Sequence, residues 1–279
     1  MRNDPAPVKP KALTGATLAV VLGSGLGEVS ESFPVEGWLE FGHIPGVEAA
    51  VGIEGHAGEL KLCRVEGRRC VFVRGRRHYY EGHPAQIVAI IEYLVTLGIR
   101  QLLVTSAAGS LSRAFLPGTL LLCDSILDLQ HRPPARAGAG NQTAGTPKNL
   151  ASACERACLA AFPSRVPDKT FQSAVLGAAK RARVALGRGI LACTAGSAYE
   201  TKSEVMFLQR IGAVAVSMSG APETAAAGGF GIQIANLALL TNWATGISGE
   251  RLRHSDVLEC GRHAASGLER LIVRLVTAG

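Results

Sequence analysis

Aromatic side chains are scarce in this chain, with Phe, Tyr and Trp making up 5% of 279 residues. That scarcity argues against a stacking platform for carbohydrate or single-stranded nucleic acid. Charge is thin as well, at 18% against the roughly 25% usual in soluble domains. Because hydrophobic residues reach 47%, low charge here means a packed core and excludes disorder as the main state. The longest apolar stretch, 230–240, is interrupted by Gln233 and Asn236 and is too short to span a bilayer. CxxC spacing is missing from the seven cysteines, Cys63, Cys70, Cys123, Cys154, Cys158, Cys193 and Cys260. Cys154 and Cys158, one helical turn apart, read as packing, and no metal is expected. The start, MRNDPAPVKPKALTG, lacks a signal-peptide pattern, so the reducing cytoplasm is the expected setting.

What the chain does have is glycine, 33 residues, and a net charge of +7. Arg64, Arg68, Arg69, Arg74, Arg76 and Arg77 form one basic group, and Lys180, Arg181, Arg183 and Arg188 a second. Neither carries a zinc finger, a basic-zipper pattern or interleaved aromatics, so no nucleic-acid partner is expected. Both read mainly as solvated surface, although an anionic small substrate would also use positive charge.

Residues 1–15, with three prolines, read as a loose tail ahead of one domain over 16–279. The run TLAVVL at 17–22 reads as a buried strand ended by the turn Gly23-Ser24-Gly25-Leu26-Gly27. Further strands are expected at 59–63, 70–74, 101–105, 119–123, 188–194, 213–218 and 232–241. Helices are expected at 87–97, 149–161, 171–184, 200–211, 222–228 and from 254. The alternation predicts a single α/β domain with a central mixed, mostly parallel β-sheet flanked by helices, its sites at the C-terminal ends of strands. The polar stretch 131–149, HRPPARAGAGNQTAGTPKN, is long for a loop inside a compact domain, which marks it as functional or mobile.

Five constellations could carry chemistry. The glycine turn after the first strand can aim backbone N–H groups and the Ser24 hydroxyl at an anion, or can simply be a tight turn. It is neither a dinucleotide-binding fingerprint nor a P-loop. Arg76 and His78 stand two residues apart after the strand 70–74, so extended backbone would point both the same way, as a tetrahedral oxyanion requires. The small polar stretches 104–110 and 217–220 read as turns at strand ends, with backbone amides available to an anion or a sugar. Neither fits a hydrolase nucleophile elbow. Tyr199-Glu200 pairs an aromatic with a carboxylate, suited to a heterocycle, although Glu200 could merely support a helix N-terminus. Asn242 offers a donor and an acceptor together, or serves as a turn residue.

The phrases VVLGSGLG, EGHAGEL, GRRHYYEGHP, VTSAAGSL, GSAYET, AVSMSGAPE and LLTN occur in that order. In this the chain resembles the trimeric, lower-mass class of purine nucleoside phosphorylases, over roughly 17–126 and 186–275. The resemblance implies phosphate-dependent cleavage of purine (deoxy)ribonucleosides in purine salvage, giving free base and (deoxy)ribose 1-phosphate. It implies no cofactor, inorganic phosphate being a co-substrate, and a homotrimer without membrane or nucleic-acid partners. Ser24, Arg76, His78, Ser219 and the backbone at Ala107 would hold phosphate, with His56 beside phosphate and sugar. Tyr80, Met218 and His254 would contact ribose. Tyr199 would stack near the purine, and Glu200 and Asn242 would bind it. An ionised Glu200 accepts from N1–H of hypoxanthine or guanine, whereas adenine has no proton there. Related methylthioadenosine phosphorylases carry aspartate at the position of Asn242, so inosine and guanosine are the expected substrates. Phosphorolysis of methylthioadenosine or another nucleoside, or a catalytically weak binding protein, are the alternatives. Where the family usually has Asn, Pro and Thr-Val, this chain has Ser106, Ser197 and Gly220-Ala221, and the 131–149 segment does not match.

Overall fold

The computed structural model describes residues 13–48, 57–76, 78–81, 84–130, 167–248 and 254–278, the last with side chains from 259 onward. Strand β1 (Leu18–Leu22) is buried along its whole length and lies parallel to both β4 (Arg68–Arg74) and β5 (Gln101–Ser110). β9 (Gln233–Trp243) adds a fourth parallel strand beyond β5. β2 (Val35–Glu40) and β3 (Glu59–Val65) continue the sheet antiparallel on the far side of β4. β6 (Leu120–Asp128), β7 (Leu186–Cys193) and β8 (Ala213–Ser217) run parallel to one another. β8 pairs antiparallel with β5, and β6 with β9. The strands β5, β8, β7, β6 and β9 therefore form a closed ring fused to an open sheet.

Alternation along the central strands divides their side chains between two cores, because successive residues face opposite sides of a strand. Ala19, Val21, Val71, Val73, Leu102 and Val104 face one side. There α1 (Pro84–Thr96) contributes Val88, Ile91 and Leu94, and α4 (Ala221–Gly229) contributes Ala225 and Ala226. Leu18, Val20, Leu22, Phe72 and Leu103 face the other, under Phe171 and Val175 of α2 (Lys169–Ala182) and Leu268, Leu271 and Ile272 of α5 (His254–Val276). Each fully buried Leu or Phe contributes about 2 kcal/mol of hydrophobic stabilisation. α3 (Lys202–Arg210) covers part of the ring with Val205 and Leu208.

The α/β architecture is the expected one, with four departures. Residues 104–110 form no turn: β5 runs to Ser110 alongside β9, from Gln101 opposite Gln233 to Ala108 opposite Leu240 and, after a one-residue register shift, Gly109 opposite Asn242 and Ser110 opposite Trp243. β6 likewise continues to Asp128 alongside β7. β2 was not anticipated, since VEGWLE carries a glycine and breaks register between Val35 and Gly37. Helix α3 starts at Lys202 because Thr201 and Glu204 form a reciprocal capping box, so Glu200 stands outside it. The loop 131–149, the expected helix 149–161, Arg77, Cys154 and Cys158 lie outside the described residues.

Candidate active site

The turn after β1 is fastened to β5 by one threonine. Thr105 Oγ1 accepts from the Gly23 N–H at 3.0 Å and donates to the Val21 carbonyl at 2.8 Å. A Cβ on Gly23 would lie 2.8 Å from the Thr105 carbonyl oxygen, so the close approach needs glycine. Ser24 sits half-buried in this turn. From behind, Gly261 of α5 meets the turn so closely that a Cβ there would lie 2.7 Å from the Gly25 backbone.

Arg76 follows β4 and is buried, at 6% exposure. Its Nη1 lies 3.0 Å from Glu223 Oε1 and donates to Ser106 Oγ at 3.3 Å, while Nη2 donates to the Thr105 carbonyl. Glu223, in the first turn of α4, accepts the Gly220 N–H on its other oxygen at 3.0 Å. One carboxylate thus links the guanidinium to the glycine bend after Ser219. The buried charge is paired, which burial demands.

A second ion network lies beneath the same turn. Arg74 Nη1 is 2.8 Å from Glu31 and 2.5 Å from Glu59, and Lys61 Nζ is 3.0 Å from Glu31 and 3.8 Å from Glu59. Lys61 is 3% exposed. The network joins the segment after the glycine turn, the start of β3 and the end of β4. Arg74 is therefore structural, and only part of the first basic group is surface. Arg64 and Arg69 share Glu36, and Arg188 pairs with Asp124 in solvent.

Beyond Arg76 the groups become aromatic. His78 Nδ1 lies 2.9 Å from Glu81 Oε1, which also accepts the His78 backbone N–H at 3.1 Å. Burial and the Arg76 charge hold the imidazole below its usual range, against the opposing pull of Glu81. Tyr80 stacks on His78 with ring centroids 5.0 Å apart. A Cβ on Gly196 would lie 2.6 Å from Tyr80 Cδ1 and 2.8 Å from Met218 Sδ, so these two side chains close over that glycine. Burial raises the phenols of Tyr80 and Tyr199, helped in the first by Glu81 and Tyr199 and in the second by Glu200. Both therefore stay protonated at neutral pH.

Three more groups complete the constellation. Ser217 Oγ donates to the Ala107 carbonyl at 2.8 Å and lies 3.3 Å from Ser219 Oγ. Glu200 Oε1 accepts from Thr194 Oγ1 at 2.7 Å. Asn242 is in β9 and not in a turn: its Oδ1 accepts from Thr241 Oγ1 at 2.7 Å and its Nδ2 donates to the Trp243 carbonyl at 2.9 Å. Gly109 opposes it, and a Cβ there would lie 3.3 Å from Asn242 Nδ2.

The 105–109 stretch of β5 is thus a spine touching the Ser24 turn, Arg76, the Ser217–Ser219 bend and Asn242. His78, Tyr80, Met218, Tyr199 and Glu200 adjoin it in sequence of contacts from Arg76 outward. Ser24, Arg76, His78, Tyr80, Ala107, Tyr199, Glu200, Met218, Ser219 and Asn242 are brought into one region. His56 lies outside the described residues, and His254 opens α5 without a described side chain. Sequence reading missed Glu223, Thr194, the Arg74 network and Gln130. Gln130 Nε2 donates to the carbonyls of Thr194 at 3.1 Å and Met218 at 3.0 Å. Only Glu223 carried a signal, the Pro-Glu pair that opens a helix after glycine.

The family model that matches the chain, over residues 17–277, is that of the phosphorylase superfamily. The chain is 29% identical to purine nucleoside phosphorylase 1 of Bacillus subtilis (strain 168), covering 93% of this chain and 91% of that protein. It is 30% identical to the purine nucleoside phosphorylase of Rattus norvegicus, covering 91% and 86%. Among solved structures, isoform 2 of the Schistosoma mansoni enzyme with cytosine and ribose-1-phosphate superposes with a TM-score of 0.75, at 26% identity over 96% of this chain and 92% of that one. The Schistosoma mansoni purine nucleoside phosphorylase with inosine gives a TM-score of 0.74 at 23% identity, over 94% and 89%. The chain belongs to the purine nucleoside phosphorylase family, a family of enzymes.

Proposed function

We propose that the protein cleaves inosine and guanosine, and their deoxy counterparts, with inorganic phosphate in purine salvage. The observation that carries this reading is the gathering of the Ser24 turn, buried Arg76 and Ser219 around one strand whose far end faces Asn242. In this reading Ser24, Arg76, His78, Ser219 and the Ala107 backbone hold phosphate, and His56 lies beside phosphate and sugar. Tyr80, Met218 and His254 contact ribose, and Tyr199 packs near the purine. The Thr241 hydroxyl occupies Asn242 Oδ1, so the amide presents its second N–H to purine N7. Glu200 accepts from N1–H.

The glycosidic bond breaks with its electron pair going to the base, leaving positive charge on the ribose. The phosphate dianion stabilises that charge and forms the new bond to C1′. Asn242 and Glu200 meet negative charge as it grows on the base, so their bonds strengthen toward the transition state. The chain's own groups supply orientation and electrostatics, with no covalent intermediate on the protein.

The same reading includes a homotrimer in the cytoplasm. Supporting an assembly, Met206, Phe207 and Ile211 are exposed on and just after α3. Sedimentation at three chain masses is the expected result. The activity is tested with inosine, guanosine, adenosine and xanthosine, each with and without phosphate. Phosphate-dependent release of hypoxanthine and guanine is expected, with adenosine poor. Cleavage without phosphate, or none with any nucleoside, would overturn the proposal.

A further inference from the structure

The loop from Thr194 to Glu200 is anchored at its start, at Gly196 and at the cap that follows it. At its start, the Thr194 N–H donates to the Ser217 carbonyl at 2.9 Å and the Thr194 carbonyl accepts from Gln130 at 3.1 Å. In its middle, Gly196 at φ 73° lies under Tyr80 and Met218. At its end, Thr201 is fixed as the cap of α3. Glu200 lies between the last two of these anchors, half-buried. Among the described residues, the hydroxyl of Thr194 is its side-chain partner, at 2.7 Å.

That hydroxyl has one proton and two places to put it. The Ser217 carbonyl is 3.5 Å away and the carboxylate 2.7 Å, so the proton goes to Glu200. A donor to an ionised acceptor makes the stronger class of bond. It occupies one lone pair of Oε1 and leaves Oε2 to face an incoming N–H. A carboxylate oriented in that way rewards a heterocycle that brings a proton, and rejects one that brings a lone pair.

We infer that Thr194 is a positioning residue for purine selection: its hydroxyl fixes Glu200 as an oriented acceptor for N1–H. The inference rests on Glu200 binding the purine, as proposed above. Thr194→Val keeps the shape and both backbone bonds while deleting the donor, and Thr194→Ser restores it.

Thr194→Val is expected to lower kcat/KM for inosine about tenfold, the worth of one bond to a charged group. Adenosine turnover and the KM for phosphate should hold, so the inosine-to-adenosine ratio falls by the same factor. Thr194→Ser should recover inosine use. Calorimetric titration of hypoxanthine, with phosphate present, should show a matching loss of affinity in the valine variant. Thr194→Ala serves the same comparisons should valine not fold. An equal loss for all substrates, a rise in phosphate KM, or a serine variant no better than valine would overturn the role. Hypoxanthine binding separates the two readings. Binding that weakens in Thr194→Val sustains the inference even without turnover, and a wild type that does not bind hypoxanthine removes it along with the purine assignment of Glu200.

Discussion

Glu223 shows how much one buried carboxylate can settle. It faces Arg76 on one oxygen and caps the Gly220 N–H with the other, so alanine there removes a carboxylate that faces a buried guanidinium and accepts a buried N–H. Glu223→Ala is expected to cost about 3 kcal/mol in urea unfolding and to raise the KM for phosphate. Glu223→Gln, still able to accept from Gly220, should lose less stability. His78 offers a test of sign. Burial and Arg76 place its folded pKa below the ordinary 6.5, so the unfolded chain takes up a proton first as pH falls. Its contribution to stability is whole above 6.5 and is lost below it, down through the folded value. Since Glu81 pulls the pKa up, Glu81→Gln should lower it further, read by NMR titration of the His78 ring protons.

Helix α5 and the glycine turn meet at Gly261, where a Cβ would collide with Gly25 backbone at 2.7 Å. Gly261→Ala should lower stability by about 1–3 kcal/mol through overpacking and raise the KM for phosphate by moving the turn that holds Ser24. Gly267, on the same helix, has open space, with nothing within 4 Å of the point a methyl group would occupy. Gly267→Ala should therefore stabilise by about 0.4–1 kcal/mol and leave kinetics alone, and thermal unfolding of the pair checks both. Most elements were legible because apolar runs such as LAVVL and VFV sit between glycine turns. β5 extends further than expected because its Ser-Ala-Ala-Gly stretch, which looks like a turn, is paired with β9 and at its end with β8. The Thr201–Glu204 cap was written in the sequence as T-x-x-E and sets the start of α3 two residues later than expected. The Thr194–Glu200 bond spans six residues but needs the loop's shape to exist. The Arg74 network joins positions 31, 59, 61 and 74, and no local pattern announces such a meeting.

Across the whole molecule, a ligand that binds only the folded chain adds stability by mass action. Phosphate at 100 times its dissociation constant adds about 2.7 kcal/mol, or about 5 °C in Tm for a chain of this size. A thermal-shift series should show that rise in the wild type and lose it in Arg76→Ala. Ring closure has a further consequence. A strand with only one neighbour offers unmet N–H and C=O groups to other molecules, the usual seed of intermolecular β-pairing. Closing β5, β8, β7, β6 and β9 on themselves removes that hazard from five strands, and among the described residues β2 alone has a single neighbour. There the register break at Val35–Gly37 interrupts a flat template, and Glu36, clasped by Arg64 and Arg69, sets charge along it. The topology of this charge-poor, glycine-rich chain thus leaves, among the described residues, one short outer strand to guard.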